Sequence, residues 1–149
     1  MQEERIMSTA TENIIALGPI SVGISNLRVK DTAIPAQAEN VIKAGDSFDL
    51  SVDVAFSPCP DPFTNFLLGL GLTIEVLYHV EGFGTAAEKD LGPAVVTTNG
   101  TDCSYTATFN SPGSALGAGV YKAIAVVTVK GGGIPFAVGF ISDVAFHIY

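Results

Sequence analysis

Between Phe48 and Phe56 every second residue is large and apolar: Phe48, Leu50, Val52, Val54 and Phe56, with Asp49, Ser51, Asp53 and Ala55 between them. A period of two is the period of a pleated strand. Wound into a helix, the same residues would spread their apolar groups around the whole circumference and bury no face. The segment therefore predicts a strand with one dry side and one wet side. The pattern recurs over residues 70–80, where Leu70, Leu72, Ile74, Val76, Tyr78 and Val80 share a side. It recurs again at 101–109, with Cys103, Tyr105, Ala107 and Phe109 alternating with Asp102, Ser104, Thr106 and Thr108. Residues 119–130 are rich in β-branched side chains, and a last strand is expected from about Phe136 to Tyr149. Ile20–Ile24 and Asn26–Val29 read as a first strand with a kink.

Turn chemistry separates these segments. Ala44-Gly45-Asp46 leads into the strand at 48, and Gly131-Gly132-Gly133 reverses the chain before the last one. Asn99-Gly100 is a strong two-residue hairpin signal and is expected to join Val95–Thr98 to Thr101–Phe109. Pro58, Pro60 and Pro62 end the strand before them, because proline has no N–H for a ladder. Phe63–Leu68 is the one stretch suited to a short helix. About seven strands with little helix predict an all-β fold, a two-sheet antiparallel β-sandwich. The expected organisation is a flexible N-terminal tail over 1–12 and one sandwich domain over 13–149.

Two segments carry a fold-level resemblance. Ala44-Gly45-Asp46 before a strictly alternating strand, and Gly119-Val120-Tyr121 opening a late one, resemble the immunoglobulin-like and fibronectin-like sandwiches. The resemblance implies that the Tyr121 hydroxyl bonds nearby backbone, as in the tyrosine corner of such folds. It departs from antibody domains in having no tryptophan and no cysteine in the late strand. In sandwich order, Phe48–Phe56 is the second strand and Thr101–Phe109 the fifth, which pair antiparallel. Cys59 and Cys103 then fall at the same pole, within reach of a disulfide. The alternative is two buried thiols, the usual state in a cytosol.

Composition narrows the function. Fifteen acidic and 7 basic residues leave a net charge of −8, the reverse of what a nucleic-acid or anionic-membrane surface binds. Only 15% of residues are charged and the mean hydropathy is +0.43, so the chain has apolar surface to bury. The longest apolar run, Phe66–Ile74, is far short of a bilayer span. The acidic start, Met1-Gln2-Glu3-Glu4-Arg5, has no secretory pattern, with Met7 a second candidate start; synthesis in the cytoplasm is expected. His79 and His147 have no metal-site spacing, neither cysteine has a C-x-x-C partner, and no nucleophile or nucleotide motif occurs. Enzymatic activity, a cofactor and a metal are therefore not expected. Asp49 and Asp53 lie along a line rather than around a point, which suits a solvated face better than calcium. Asn99-Gly100-Thr101 matches a glycosylation sequon, but its turn role accounts for it.

An asymmetry between sheets remains. The outer side of strands 48–56 and 101–109 is polar. The outer side of the other sheet is expected to carry Thr73, Leu77, Val120, Ile124, Val126, Ala137 and Ile141, interrupted by Glu75, His79, Lys122 and Asp143. An apolar outer face of that extent marks an interface or a lipid contact. The expected function is a structural or binding subunit that self-associates through Leu77, His79, Lys122, Ile124, Val126 and Ile141, its partner another copy or another protein. Strand pairing by Ile14–Ile24 is a further route to assembly. The alternative is a carrier of a lipid or other apolar ligand held between the sheets by Phe48, Val52, Ile74, Val76 and Phe140, with Phe63–Leu72 as its mouth.

Overall fold

Each alternating segment forms a strand, and the apolar sides of the strands meet in one interior. The computed structural model describes residues 13–17, 19–84, 86 and 88–149, with 13–17, 136 and 143 in backbone only. Among these, β1 (Asn13–Leu17), β2 (Ile20–Asp31), β3 (Val41–Ile42) and β4 (Phe48–Ser57) precede a helix, α1 (Pro62–Gly69). β5 (Thr73–Gly82), β6 (Lys89–Thr97), β7 (Ser104–Ser111), β8 (Gly119–Gly131) and β9 (Ile134–Ile148) follow. One sheet has the order β1-β2-β4-β7 and the other β3-β9-β8-β5-β6. The tail expected over residues 1–12 lies outside the described residues.

The strand count rises from about seven to nine through β1 and β3. β1 folds back on β2, from Leu17 opposite Ile20 to Asn13 opposite Ile24. β3 is two residues long, too short to show a period, and runs parallel to the end of β9, the exception in an otherwise antiparallel set. Residues 70–80 begin their strand later than the alternation suggests. Leu70 caps α1 and is exposed, Gly71 takes a positive φ of 79°, and Leu72 is the first residue to turn inward.

Asn99-Gly100 does not make a hairpin. β6 and β7 belong to different sheets, and the turn carries the chain across the sandwich. The Asn99 side chain shapes it by accepting from the N–H groups of Thr101 (2.9 Å) and Asp102 (2.7 Å). The two-residue hairpin turn is Gly132-Gly133, between Gly131 and its partner Ile134. Its φ angles of 60° and 81° are those a primed turn requires.

The core is made where the two inner faces meet. Phe48, Leu50, Val52 and Val54 of β4 and Ile74, Val76 and Val80 of β5 are fully buried. Tyr78 donates its hydroxyl from β5 to the Ala107 carbonyl of β7 at 2.7 Å, tying one sheet to the other. Burial pushes the Tyr78 phenol up, so it remains the protonated donor. Tyr121 stacks on Phe146 at 5.4 Å, and its hydroxyl reaches the Gly117 carbonyl at 2.7 Å. Outside, β4 and β7 pair their polar residues in register. Asp49 accepts from Asn110 (2.9 Å), Ser51 bonds Thr108 (3.1 Å), and Asp53 accepts from Thr106 (2.9 Å). Asn26 and Arg28 also donate to Asp53. Burial alone would raise the Asp53 pKa, but these donors and the Arg28 charge outweigh it and hold the carboxyl below its ordinary value. Ser51 is buried within this ladder rather than open to water.

Ile74→Ala should therefore cost about 2–5 kcal/mol in chemical denaturation, the range for truncating a buried Ile. Ser51→Ala should cost about 1 kcal/mol, the net worth of one neutral hydrogen bond. Equal losses at the two positions would contradict the assignment of faces.

Candidate functional site

The outer face of the five-stranded sheet is shaped by three bulges, one in β6 and two in β9, the second of which inserts residue 136 between the pairs Val129–Ala137 and Lys130–Pro135. In β6, Gly92 and Pro93 together oppose Leu77, because the register runs from Val76–Ala94 to Tyr78–Leu91. A bulge on an edge strand is where a proline fits without costing a ladder bond. In β9, Ser142 and Asp143 together oppose Ile124, between the pairs Ala123–Val144 and Ala125–Ile141. One extra residue inverts the parity of everything beyond it. Val144, Phe146 and Ile148 face inward on one side of the bulge, and Ala137 and Ile141 on the other.

This corrects two expectations. Ile141 is 1% exposed and belongs to the core, as does Ala137. Continuing the alternation back from the chain end without the bulge places them outside. Phe140, expected inside as part of a ligand gap, is 54% exposed, and Val138 is 60% exposed. The other four residues of that gap, Phe48, Val52, Ile74 and Val76, are fully buried in the shared core. The proposed mouth is α1 with its C-cap. Asp61 caps it by accepting from the N–H groups of Phe63 and Thr64, and Thr64 and Leu68 turn inward.

The corrected face has an apolar row at its centre. Leu77 of β5 lies opposite Val126 of β8, which lies opposite Phe140 of β9. Leu77 is 39% exposed, Val126 is half-buried, and Ile124 stands half-buried beside them. Val95 of β6, opposite Glu75, extends the apolar surface toward the edge at 56% exposure. Val138, Phe140 and Val95 were not among the residues expected here. For the first two the signal was present in the alternation of Val138-Gly139-Phe140, but its direction depended on the bulge.

Charges flank the row in pairs. Lys130 reaches Glu75 at 3.0 Å on one side, and Lys122 approaches Glu81 at 3.9 Å on the other. Both acids stand on β5 and both bases on β8. His79 meets Asp90 of β6, its register partner, through Nδ1 and Oδ1 at 2.5 Å. The hydrogen bond to Asp90 raises the His79 pKa, with the charges of Asp90, Glu81 and Glu88 adding to it against a smaller effect of burial. Of the six interface residues expected, five share this face and Ile141 does not.

At the pole beyond β4, Cys59 and Cys103 form a disulfide across 44 positions. The Phe56 N–H donates to the Cys103 carbonyl at 2.8 Å, which extends the β4–β7 ladder toward the bridge. Asn65 of α1 donates to the Gly100 carbonyl at 3.0 Å, and Thr98 donates to the Leu68 carbonyl at 2.7 Å. The bridge thus fastens the start of α1 to the crossing between sheets.

Among the described residues no three His, Cys, Asp or Glu side chains gather to hold a metal ion. No helix among them is long and apolar enough to cross a membrane. No protein-family model matches the chain, and no curated protein matches it either.

Reduction of the bridge should cost about 2–4 kcal/mol of stability, since a loop of this length is freed in the unfolded chain. Cys103→Ser should show the same loss and no longer respond to reductant. Identical melting with and without reductant would remove the bridge from the account of stability.

Proposed function

We propose that the chain is a non-enzymatic structural or binding subunit that pairs with a second copy of itself through the outer face of β5, β8 and β9. The observation that carries this reading is the Leu77–Val126–Phe140 row together with the placement of the charges around it. Apolar surface gains from leaving water at about 25 cal/mol per Å², although association entropy takes back part of that gain. The charges favour a second copy as what covers it. β5 carries the acids and β8 the bases, so a two-fold axis running along these strands between them lays β5 of one copy over β8 of the other. Leu77 then faces Val126, and Glu75 and Glu81 face the bases at both ends of the row. A surface complementary to itself is what an isologous dimer requires.

The strand order also supports an immunoglobulin-like arrangement. β2, β4 and β7 correspond to one sheet of such a sandwich, and β9, β8, β5 and β6 to the other. β3 runs parallel to β9 as a strand that has switched sheets. The tyrosine that resembles the corner residue makes the bond that role implies, from Tyr121 to Gly117. The fold carries no function by itself. The disulfide favours work in an oxidising compartment, since a cytosol keeps such pairs reduced.

Val126→Lys places an unpaired charge at the centre of the row and should weaken association by about two orders of magnitude, as truncation or disruption of a central anchor does. Thr106→Lys, on the polar sheet, should leave it intact. Glu75→Lys with Glu81→Lys should dissociate the particle, and mixing it with the Lys122→Glu, Lys130→Glu chain should restore a mixed dimer. Size-exclusion with light scattering reads all four. A monomer throughout, or a dimer indifferent to Val126→Lys, would overturn the proposal.

Association should also depend on pH. Below its raised pKa the His79 imidazolium neutralises Asp90 at the edge of the face; above it, the Asp90 carboxylate is left on an acidic chain. The dimer should therefore weaken severalfold as pH climbs from about 6 to about 8.5, and His79→Gln should flatten the profile. A dimer that tightens over this range would contradict that sign.

A further inference from the structure

Two carboxylates meet where the chain crosses between the sheets. Asp31 ends β2, and Asp46 stands two residues before β4. The intervening segment fastens both sheets. Asn40 bonds Val29 of β2 through its side-chain oxygen (3.1 Å) and its own N–H (2.7 Å), while β3 lies along the end of β9. Asp31 is 1% exposed, yet its charge is well compensated. Oδ1 accepts from the N–H groups of Ala33 (2.8 Å) and Ile34 (3.0 Å), and Oδ2 from that of Lys43 (3.0 Å). Three donors on one carboxylate hold it ionised.

Asp46 is its opposite. Its Oδ2 is buried and, among the described residues, has no hydrogen-bond partner. An ionised oxygen enclosed without a donor, beside a second ionised carboxylate, would have its repulsion from Asp31 only partly offset by the Lys43 charge. A proton on the Asp46 carboxyl removes the conflict, because the acid can then donate to Asp31, its side-chain hydrogen-bond partner. The loop 112–118 packs tightly on Gly45 and Asp46 at Gly113, where a side chain would collide with the Gly45 backbone, and it has no titratable residue.

We propose that Asp46 folds as the neutral acid and shares its proton with Asp31, so that the pair is a proton-dependent clasp on the 32–47 crossing. Loss of that proton puts two like charges at the corner and loosens the segment that holds β3 on β9 and Asn40 on β2.

Electrostatics at the site agree. Burial, followed by the hydrogen bond and charge of Asp31, raises the Asp46 pKa. Burial acts in the same upward direction on Asp31, but its three backbone donors and Asp46 outweigh it and leave the pKa lowered. Lys43 is the cation facing Asp46, and its charge favours ionisation. From β2, Lys30 donates to the Gln37 carbonyl. β9 meets the segment through its main chain at His147 and Tyr149, whose side chains are its titratable groups there. The signs follow. Asp46, raised on folding, contributes stability that is complete below its unfolded pKa and lost as pH rises through the folded one. Asp31, lowered, contributes above its unfolded pKa and loses that as pH falls through the folded one. The clasp holds best between the two folded values.

Hydrogen exchange of the Ala33, Ile34 and Lys43 amides in the full chain, corrected for intrinsic rate, tests this. Protection should fall about tenfold or more as pH rises from about 5 to about 8. Asp46→Asn keeps a donor toward Asp31 that cannot ionise, and should hold its protection across the range. The same pH profile in both chains would overturn the clasp. Carbon-13 titration of the carboxyls in the unmodified chain needs no variant: Asp46 should titrate well above an ordinary aspartate, and an ordinary value near about 3.9 would equally overturn it.

Discussion

The bulge at Ser142 and Asp143 decides the character of two surfaces at once. A strand has only two sides, so a single inserted residue exchanges them, here from Ile141 back to Ala137, where the second bulge of β9 follows. With the bulge, Ala137 and Ile141 enter the core beside Val127 and Val129, and Val138 and Phe140 go outside. Without it, Val138 and Phe140 would point inward in line with Val144, Phe146 and Ile148, and Ala137 and Ile141 would face outward. The apolar row across β5, β8 and β9 depends on that exchange, and so does the closing of the core behind it.

The two outer faces then illustrate how the same backbone carries different solvation. On β4 and β7, polar side chains pair across strands with short hydrogen bonds, and Asp53 gathers donors from Asn26, Arg28 and Thr106. On β5 and β8 the charged groups pair with each other at the margins and leave Leu77 and Val126 between them. Paired margins and an apolar centre are what the proposed interface requires. Three further fastenings tie the elements together: the Tyr78–Ala107 bond between sheets, the disulfide at one pole, and the Asp31 carboxylate at the other, which accepts from the N–H groups of Ala33, Ile34 and Lys43.

Much of this was legible in the sequence, for physical reasons that can be named. Phe48–Ser57 needs only a period of two, and so does Gly119–Gly131; both formed as strands with the expected sides inward. The kink read near Asn26 is a bulge between Ser25 and Arg28, with Asn26 at a φ of 58°, a conformation asparagine tolerates. The Ser142–Asp143 bulge has no such marker, because neither residue needs a special backbone angle, and Ile141 was misplaced as a result. β3 is too short for any period, and whether Asn99-Gly100 closes a hairpin or crosses between sheets depends on partners far away in the chain. The ion-pair margins were visible as residues but not as pairs, since Glu75 and Lys130 are neighbours only once β5 and β8 are in register.

The central claim is that the outer face of the five-stranded sheet is covered by a second copy. Sedimentation equilibrium of the unmodified chain at micromolar concentration, near pH 6, measures this directly. The account predicts a particle of twice the 15.4 kDa chain mass that dissociates on dilution. A single species of 15.4 kDa at every concentration would contradict it.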